Sequence, residues 1–251
     1  MSRTPVLVLG IFVAAAASAA AQAPAGGAQT PPPPPMTNLQ IIPKDTPRPQ
    51  VLQQMQAFAS SLGVQCSYCH VMEGRGGRTD MAADDKATKK AARGMMLLAR
   101  EINSKLPESI GKAPEATTRV GCATCHRGVP IPKQITDVVT DAASAGGAAA
   151  GVAKYRELRE KFYGSQSYDF SENGLIATAQ RALAAGKPED ALTYLQANVE
   201  YYPKSARSYV LMSQAHMAKQ DKSGAMKDLE KAIEIDPNNA QAKAQLDTLR
   251  K

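Results

Sequence analysis

Two C-x-x-C-H pentapeptides constrain the fold of this 251-residue chain more than any other feature of its sequence. They occupy residues 66–70 and 122–126, and they contain all four cysteines and two of the three histidines. Two thiols at this spacing reach the two vinyl groups of one porphyrin, and the histidine that follows binds the iron from below. The pattern predicts two covalently attached haem c groups. The predicted porphyrin-binding residues are Cys66, Cys69, Cys122 and Cys125, and the predicted iron ligands are His70 and His126.

Other uses of paired cysteines explain the pattern less well. Zinc ribbons place their two C-x-x-C knuckles about 15–20 residues apart, whereas 52 residues separate Cys69 from Cys122. Disulfides are chemically possible in an oxidising compartment, but neither disulfides nor zinc ribbons account for the two histidines. A thioredoxin-like pair requires a βαβ context, and the flanking sequence here indicates helix. Covalent haem is therefore the favoured interpretation.

The N-terminus predicts export. Arg3 precedes a short apolar stretch at residues 6–17, and small residues follow at 19–21, so residues 1–21 are interpreted as a cleaved signal peptide. Residues 22–36 form a leader rich in Pro and Ala. We expect a periplasmic protein, soluble or peripheral to the membrane. The formal charge is +7, but export argues against nucleic acid as a partner.

Residues 37–137 are predicted to form a small domain around the two haems. Its only aromatic residues are Phe58 and Tyr68, which leaves a thin core for a domain of this size. A first helix is expected after Pro47, ending at Gly63, and a second over roughly 84–106, stopping before Pro107. The glycine-rich run at 73–78 is interpreted as a loop.

The rest of the chain is predicted to be a helical repeat, so the whole fold is expected to be all-α. Ala191 and Ala225 are 34 residues apart, as are Pro203 and Pro237, which is the tetratricopeptide period. The repeats are assigned to residues 165–251 and a linker and connecting helix to 138–164. The alanines at 141–153 are consistent either with a flexible linker or with a continuing helix. Two repeats are fewer than the usual three, so the segment around 155–170 is expected to pack against them.

Methionine is the better candidate for the second axial ligand of each iron, because His216 is the one remaining histidine and is expected to pack inside a repeat helix. Met55 lies on the apolar face of the first helix. Met95 lies on the apolar stripe of the second, where Met96 is rotated by about 100°. Both are predicted ligands. The alternatives are Met72 and Met81.

Residues 51–70, 92–103 and 120–129 resemble the cytochrome c subunit of purple-bacterial photosynthetic reaction centres. In that family each haem unit consists of a helix, a turn and the attachment motif, and the helix usually donates a methionine. The resemblance implies this role for Met55; it implies it less directly for Met95, because the last haem of the family takes a distant histidine. The chain departs from the family in having two motifs rather than four, no lipid-bearing cysteine, and an added repeat region.

The resemblance implies an electron carrier rather than an enzyme. Its expected partners are redox proteins, such as a membrane-bound reaction centre or a respiratory complex, and a protein or peptide at the repeats. Two alternatives stay open. The repeats can act as a scaffold that docks a redox partner, and a haem enzyme such as a peroxidase would need an open iron site with a nearby acid–base residue.

Overall fold

The computed structural model describes residues 35–72 and 79–251. The predicted signal peptide, almost all of the Pro/Ala-rich leader and the glycine-rich run at 73–78 lie outside the described residues. The described part of the chain is helical, as the sequence predicts, apart from one pair of two-residue strands. The helices are α1 (Arg48–Leu62), α2 (Ala87–Ser109), α3 (Cys122–His126), α4 (Ile135–Phe162), α5 (Glu172–Ala184), α6 (Pro188–Tyr201), α7 (Ala206–Ala218), α8 (Lys222–Ile235) and α9 (Ala240–Arg250).

The first attachment motif lies between α1 and the strand pair. Short 3-10 turns form at Cys66–Tyr68 and Pro114–Ala116. The strands β1 (Val71–Met72) and β2 (Thr79–Asp80) are antiparallel, with Val71 opposite Asp80.

Helix α1 confirms the predicted turn into the first motif. It follows Pro47 and ends at Gly63, which adopts a left-handed conformation with φ 64°. The Gly63 and Val64 amides donate to the Ser60 and Ala59 carbonyls. A side chain at residue 63 would overlap the carbonyl oxygen of Gly128, so glycine permits both the turn and the close approach of the two segments.

Helix α2 is displaced by about one turn from its predicted bounds. It begins at Ala87 rather than at Asp84, whose carboxylate instead pairs with Arg93 at 2.9 Å. It continues past Pro107, because a proline near the end removes only one amide donor. The Ile110 amide still donates to Leu106, and the Lys112 amide to Pro107 itself. The expected stop before Pro107 is therefore wrong.

Residues 141–153 are helical, within α4. The helix contains a break at Gly146 and Gly147, where φ reaches 77° at Gly147. Beyond the break, α4 packs against α5 and α6 and buries Tyr155 completely. The Tyr155 ring contacts Phe170 and Tyr201 at centroid separations of 5.7 and 5.9 Å. The segment expected to supplement the two repeats therefore does contribute to their core.

The two parts of the chain differ in how much apolar surface they bury. From α4 onward, buried residues form a large cluster, with a second cluster at α7, α8 and α9. Before α4, the buried apolar side chains in the described segments are few, and α2 has no buried residue along its 23 residues. The buried apolar residues before α4 are Ile42, Val51, Val71 and Val129.

Candidate functional site

Both C-x-x-C-H motifs open onto one cavity between α1, α2 and α3. Its wall includes residues of all three helices and of the extended segment before α1. Cys125 is exposed and is not part of this wall. The sulfur and imidazole groups along it belong to Met55, Cys66, Cys69, His70, Met81, Met95, Met96, Cys122 and His126.

The first motif folds as a tight turn that orients His70. The amides of Cys69 and His70 both donate to the Cys66 carbonyl, at 3.2 and 2.9 Å. The His70 Nδ1 lies 2.9 Å from the Met81 carbonyl oxygen. A carbonyl only accepts hydrogen bonds, so Nδ1 carries the proton and Nε2 keeps the lone pair needed to bind a metal.

The second motif orients His126 with a short helix. Thr124 Oγ1 accepts a hydrogen bond from the Gly121 amide at 3.0 Å, at the start of α3. The left-handed residue Arg127, with φ 49°, ends the helix. His126 Nδ1 then donates to the Val129 carbonyl at 3.0 Å. Both histidines are therefore held by a backbone acceptor that fixes the ring and its tautomer.

Hydrogen bonds with side chains of α2 and with the backbone of α1 hold the two motifs in place. Asn103 on α2 binds the backbone of Val120 through two hydrogen bonds, of 2.8 and 2.7 Å. The Gly128 amide donates to the Ser61 carbonyl at 2.8 Å. At the first motif, Thr88 Oγ1 donates to the Tyr68 carbonyl at 2.5 Å. These contacts place both motifs on a common helical frame.

The charged groups beside the first motif are mostly engaged with one another. Hydrogen bonds from Arg93 and Asn38 hold the pKa of Asp84 well below its usual range. Burial raises the pKa of the Cys69 thiol, while a hydrogen bond with Thr88 and the charges of Lys86 and Lys89 act in the opposite direction. The net shift therefore favours the protonated thiol at Cys69.

The side chains around the cavity fit the chemistry of a covalently bound haem. The four cysteines are free thiols. Helix α2 exposes three apolar residues, Met95, Leu98 and Ile102, of which Met95 is part of the cavity wall. An amphipathic helix normally packs its apolar face against another surface, and a porphyrin provides such a surface. In the described part of the chain, no group of three or more His, Cys, Asp or Glu side chains is arranged to hold a metal ion.

The predicted methionines lie at the cavity, but helical phase does not separate Met95 from Met96. Both are in the wall, and Met95 is 47% exposed whereas Met96 is half-buried. Met55 and Met81 are also in the wall, and Met72 is exposed and outside it.

His216 has a partner of its own in the repeats. Its Nδ1 lies 2.7 Å from a carboxylate oxygen of Asp228 on α8, and its side chain is 21% exposed. Burial raises the pKa of Asp228, and the hydrogen bond with His216 partly offsets this. The packed position expected for His216 agrees with this geometry.

Several groups at the site have no signal in the sequence. The acceptors of the two histidines are main-chain carbonyls, which any residue type provides, so their positions depend on the fold alone. Asn103 and Lys89 are polar residues of an amphipathic helix, and nothing in their spacing distinguishes them from solvent-exposed neighbours.

A helical chain whose paired C-x-x-C-H motifs share a cavity with methionines is a cytochrome of the c type. The chain belongs to the family of the photosynthetic reaction centre cytochrome C subunit, whose model matches residues 36–219. A tetratricopeptide repeat model matches residues 206–239. The first match extends from the haem motifs into the repeats.

Individual relatives match over a shorter stretch. The chain is 44% identical over 98 residues to the photosynthetic reaction center cytochrome c subunit of Thermochromatium tepidum, which covers 38% of this chain and 21% of that protein. It is 34% identical over 70 residues to the same subunit of Rubrivivax gelatinosus, covering 28% of this chain and 16% of that protein. The chain is 37% identical over 83 residues to cytochrome c-554 of Chloroflexus aurantiacus, which covers 32% of this chain and 18% of that protein. The chain thus spans about a fifth of the length of these relatives.

Within residues 35–72 and 79–251, every helix is too short or too polar to span a bilayer.

Proposed function

We propose that this chain is an exported electron carrier that holds two covalently attached haem c groups and passes single electrons between two redox proteins. The observation that supports it best is the pair of imidazoles at one cavity, each with Nδ1 bound to a backbone carbonyl. When bound, each haem supplies a one-electron iron couple. The chain's own part is to attach, orient and shield these groups.

Each haem would be held by one motif. Cys66 and Cys69 would form thioethers with the first porphyrin, and Cys122 and Cys125 with the second. His70 and His126 would bind the irons through Nε2. Met55 would be the second protein ligand of the first iron and Met95 that of the second, with Met81 and Met96 as the alternatives at the cavity wall.

Export to the periplasm is part of this proposal. It is supported by the sequence of residues 1–21 and by the attachment chemistry, which takes place outside the bacterial cytoplasm in chains of this kind. The relatives named for a photosynthetic reaction center support a membrane-bound reaction centre as electron acceptor; a respiratory complex is the other candidate. The repeats are proposed to dock a protein partner.

A potentiometric titration of the purified protein, followed by its haem absorption, tests the carrier proposal. We expect two reversible one-electron steps. We also expect no spectral shift when carbon monoxide is added to the reduced protein, because a histidine and a methionine would hold each iron and leave no position open to an added ligand. Carbon monoxide binding at one haem, together with peroxide turnover, would instead favour the haem-enzyme alternative and contradict the proposal.

A further inference from the structure

One backbone carbonyl near the first motif accepts hydrogen bonds from two side chains. The carbonyl oxygen of Met81 lies 2.9 Å from His70 Nδ1 and also 2.9 Å from the ammonium nitrogen of Lys89. A carbonyl oxygen has two lone pairs, so both donors fit. The predicted proximal ligand of the first haem and a lysine therefore share the same acceptor.

Lys89 is fixed at this position rather than solvated. Its side chain is 11% exposed, and its ammonium group also donates to the carbonyls of Ala82 and Ala83, at 3.0 and 2.8 Å. A carboxylate oxygen of Asp84 lies 3.4 Å from the ammonium nitrogen of Lys89, and the same oxygen also pairs with Arg93. Lysine ordinarily keeps its charged end in water, so three carbonyl contacts at a cavity wall are a specific arrangement.

We propose that Lys89 is a positioning residue that raises the reduction potential of the haem bound at His70. This inference rests on the proposed haem function. A carbonyl that already accepts from an ammonium group is a weaker acceptor for a second donor. The hydrogen bond from His70 Nδ1–H to this carbonyl is therefore weakened, and the imidazole has less imidazolate character. The imidazole then donates less charge to the iron.

The charge of Lys89 acts in the same direction. A cation in a poorly solvated wall disfavours the additional positive charge of ferric iron more than it would in water. Both effects stabilise the ferrous form.

The test compares potentials of the intact holoprotein with Lys89→Met, Lys89→Gln and Lys90→Met. Lys90 is the adjacent, exposed lysine outside the cavity wall, so its variant removes the same charge without touching the carbonyl. We expect Lys89→Met to lower one of the two potentials by about 59 mV, which is tenfold in the equilibrium constant of a one-electron couple. Lys89→Gln should give a smaller fall, and Lys90→Met should change neither potential by more than a small fraction of this.

A proton resonance distinguishes this role from a merely structural one. The chain has three histidines, so the reduced, histidine-labelled protein has few Nδ1–H signals. In Lys89→Met the His70 signal should move downfield, because its hydrogen bond to Met81 strengthens, while the His126 signal stays in place. Should Lys89→Met lose haem, the Gln variant provides the same two readouts.

Unchanged potentials in both Lys89 variants would overturn the inference, as would an equal fall in Lys90→Met. Failure of the haem proposal itself is distinguishable, because the wild-type protein would then lack covalent haem before any variant is compared.

Discussion

At the scale of single residues, one glycine governs how the two attachment motifs meet. Gly63 ends α1 in a left-handed conformation and lies against the Gly128 carbonyl just after the second motif. Gly111 follows α2 with nearly the same φ, 63°, but a Cβ atom at that position would meet no other atom within 4 Å. Comparing substitutions at Gly63 and Gly111 therefore distinguishes the cost of backbone strain from the cost of a steric clash.

We therefore expect Gly63→Ala to destabilise the holoprotein more than Gly111→Ala does. Each substitution imposes a left-handed conformation on alanine, at a cost of about 1–2 kcal/mol, and only Gly63→Ala also forces the Gly128 segment to move. Denaturant unfolding of the holoproteins measures both losses. Equal losses would show that the contact with Gly128 contributes nothing.

A second prediction at this scale concerns the sixth ligand of the first iron. Met55→Ala should remove part of the sulfur-to-iron absorption band and lower one potential, because methionine ligation raises the potential of a haem. Met72→Ala is the matched control, since Met72 is exposed and outside the cavity wall. If Met55→Ala leaves the sulfur-to-iron band and both reduction potentials unchanged, Met55 is a packing residue and not a ligand. The same comparison between Met95 and Met96 identifies the ligand of the second iron.

At the scale of elements, the sequence predicts most of the helices, and it predicts their ends where a local signal decides them. The end of α1 was predictable because Gly63 caps it by its own conformation. The end of α2 was not, because Pro107 lies where one lost amide is tolerated. The start of α2 was not predictable either, because Asp84 does not begin the helix but pairs with Asn38 and Arg93. Asn38 is distant in sequence, and the fold brings the two residues together. The helical state of 141–153 depends on packing against α6, where the Tyr194 ring lies against Gly151.

Helix α4 gives the prediction for this scale. Tyr155→Ala removes a ring that is completely buried between Phe170 and Tyr201, and the expected loss is about 3–5 kcal/mol, as for other large aromatic truncations. Burial also raises the pKa of Tyr155 to about 12. Tyr163→Ala is the control: Tyr163 is 65% exposed and stacks on Arg159, which is worth about 0.5–1 kcal/mol. Thermal unfolding followed by far-ultraviolet circular dichroism measures both; similar losses would contradict the role of α4 in the repeat core.

At the scale of the whole molecule, the haem-binding part and the repeats bury their apolar surface in different ways. The repeats have a large core of their own that includes α4, whereas the part before α4 leaves an amphipathic helix without buried residues. A contact between them is the hydrogen bond of 2.6 Å from Ser167 to the Arg127 carbonyl. The predicted boundary at residue 137 stays a prediction, and the family match continues to residue 219.

A chain that stops at residue 134 should therefore keep both haems and both potentials. It lacks all of α4 and the repeats, so no buried face of α4 is left exposed. If the repeats dock the redox partner, electron transfer to that partner should slow while the potentials stay unchanged. Loss of one haem or a large shift in one potential would contradict this division and would indicate a ligand beyond α4, with His216 as the first candidate.

The central claim is that this chain carries two covalently bound haems, and the mass of the denatured mature protein tests it most directly. The protein is produced in an export-competent host with haem-maturation machinery, and a variant with Cys66→Ala and Cys69→Ala is measured beside it. We expect the wild type to exceed its polypeptide mass by two haems and the variant by one. A wild-type mass equal to that of the bare polypeptide would contradict the account.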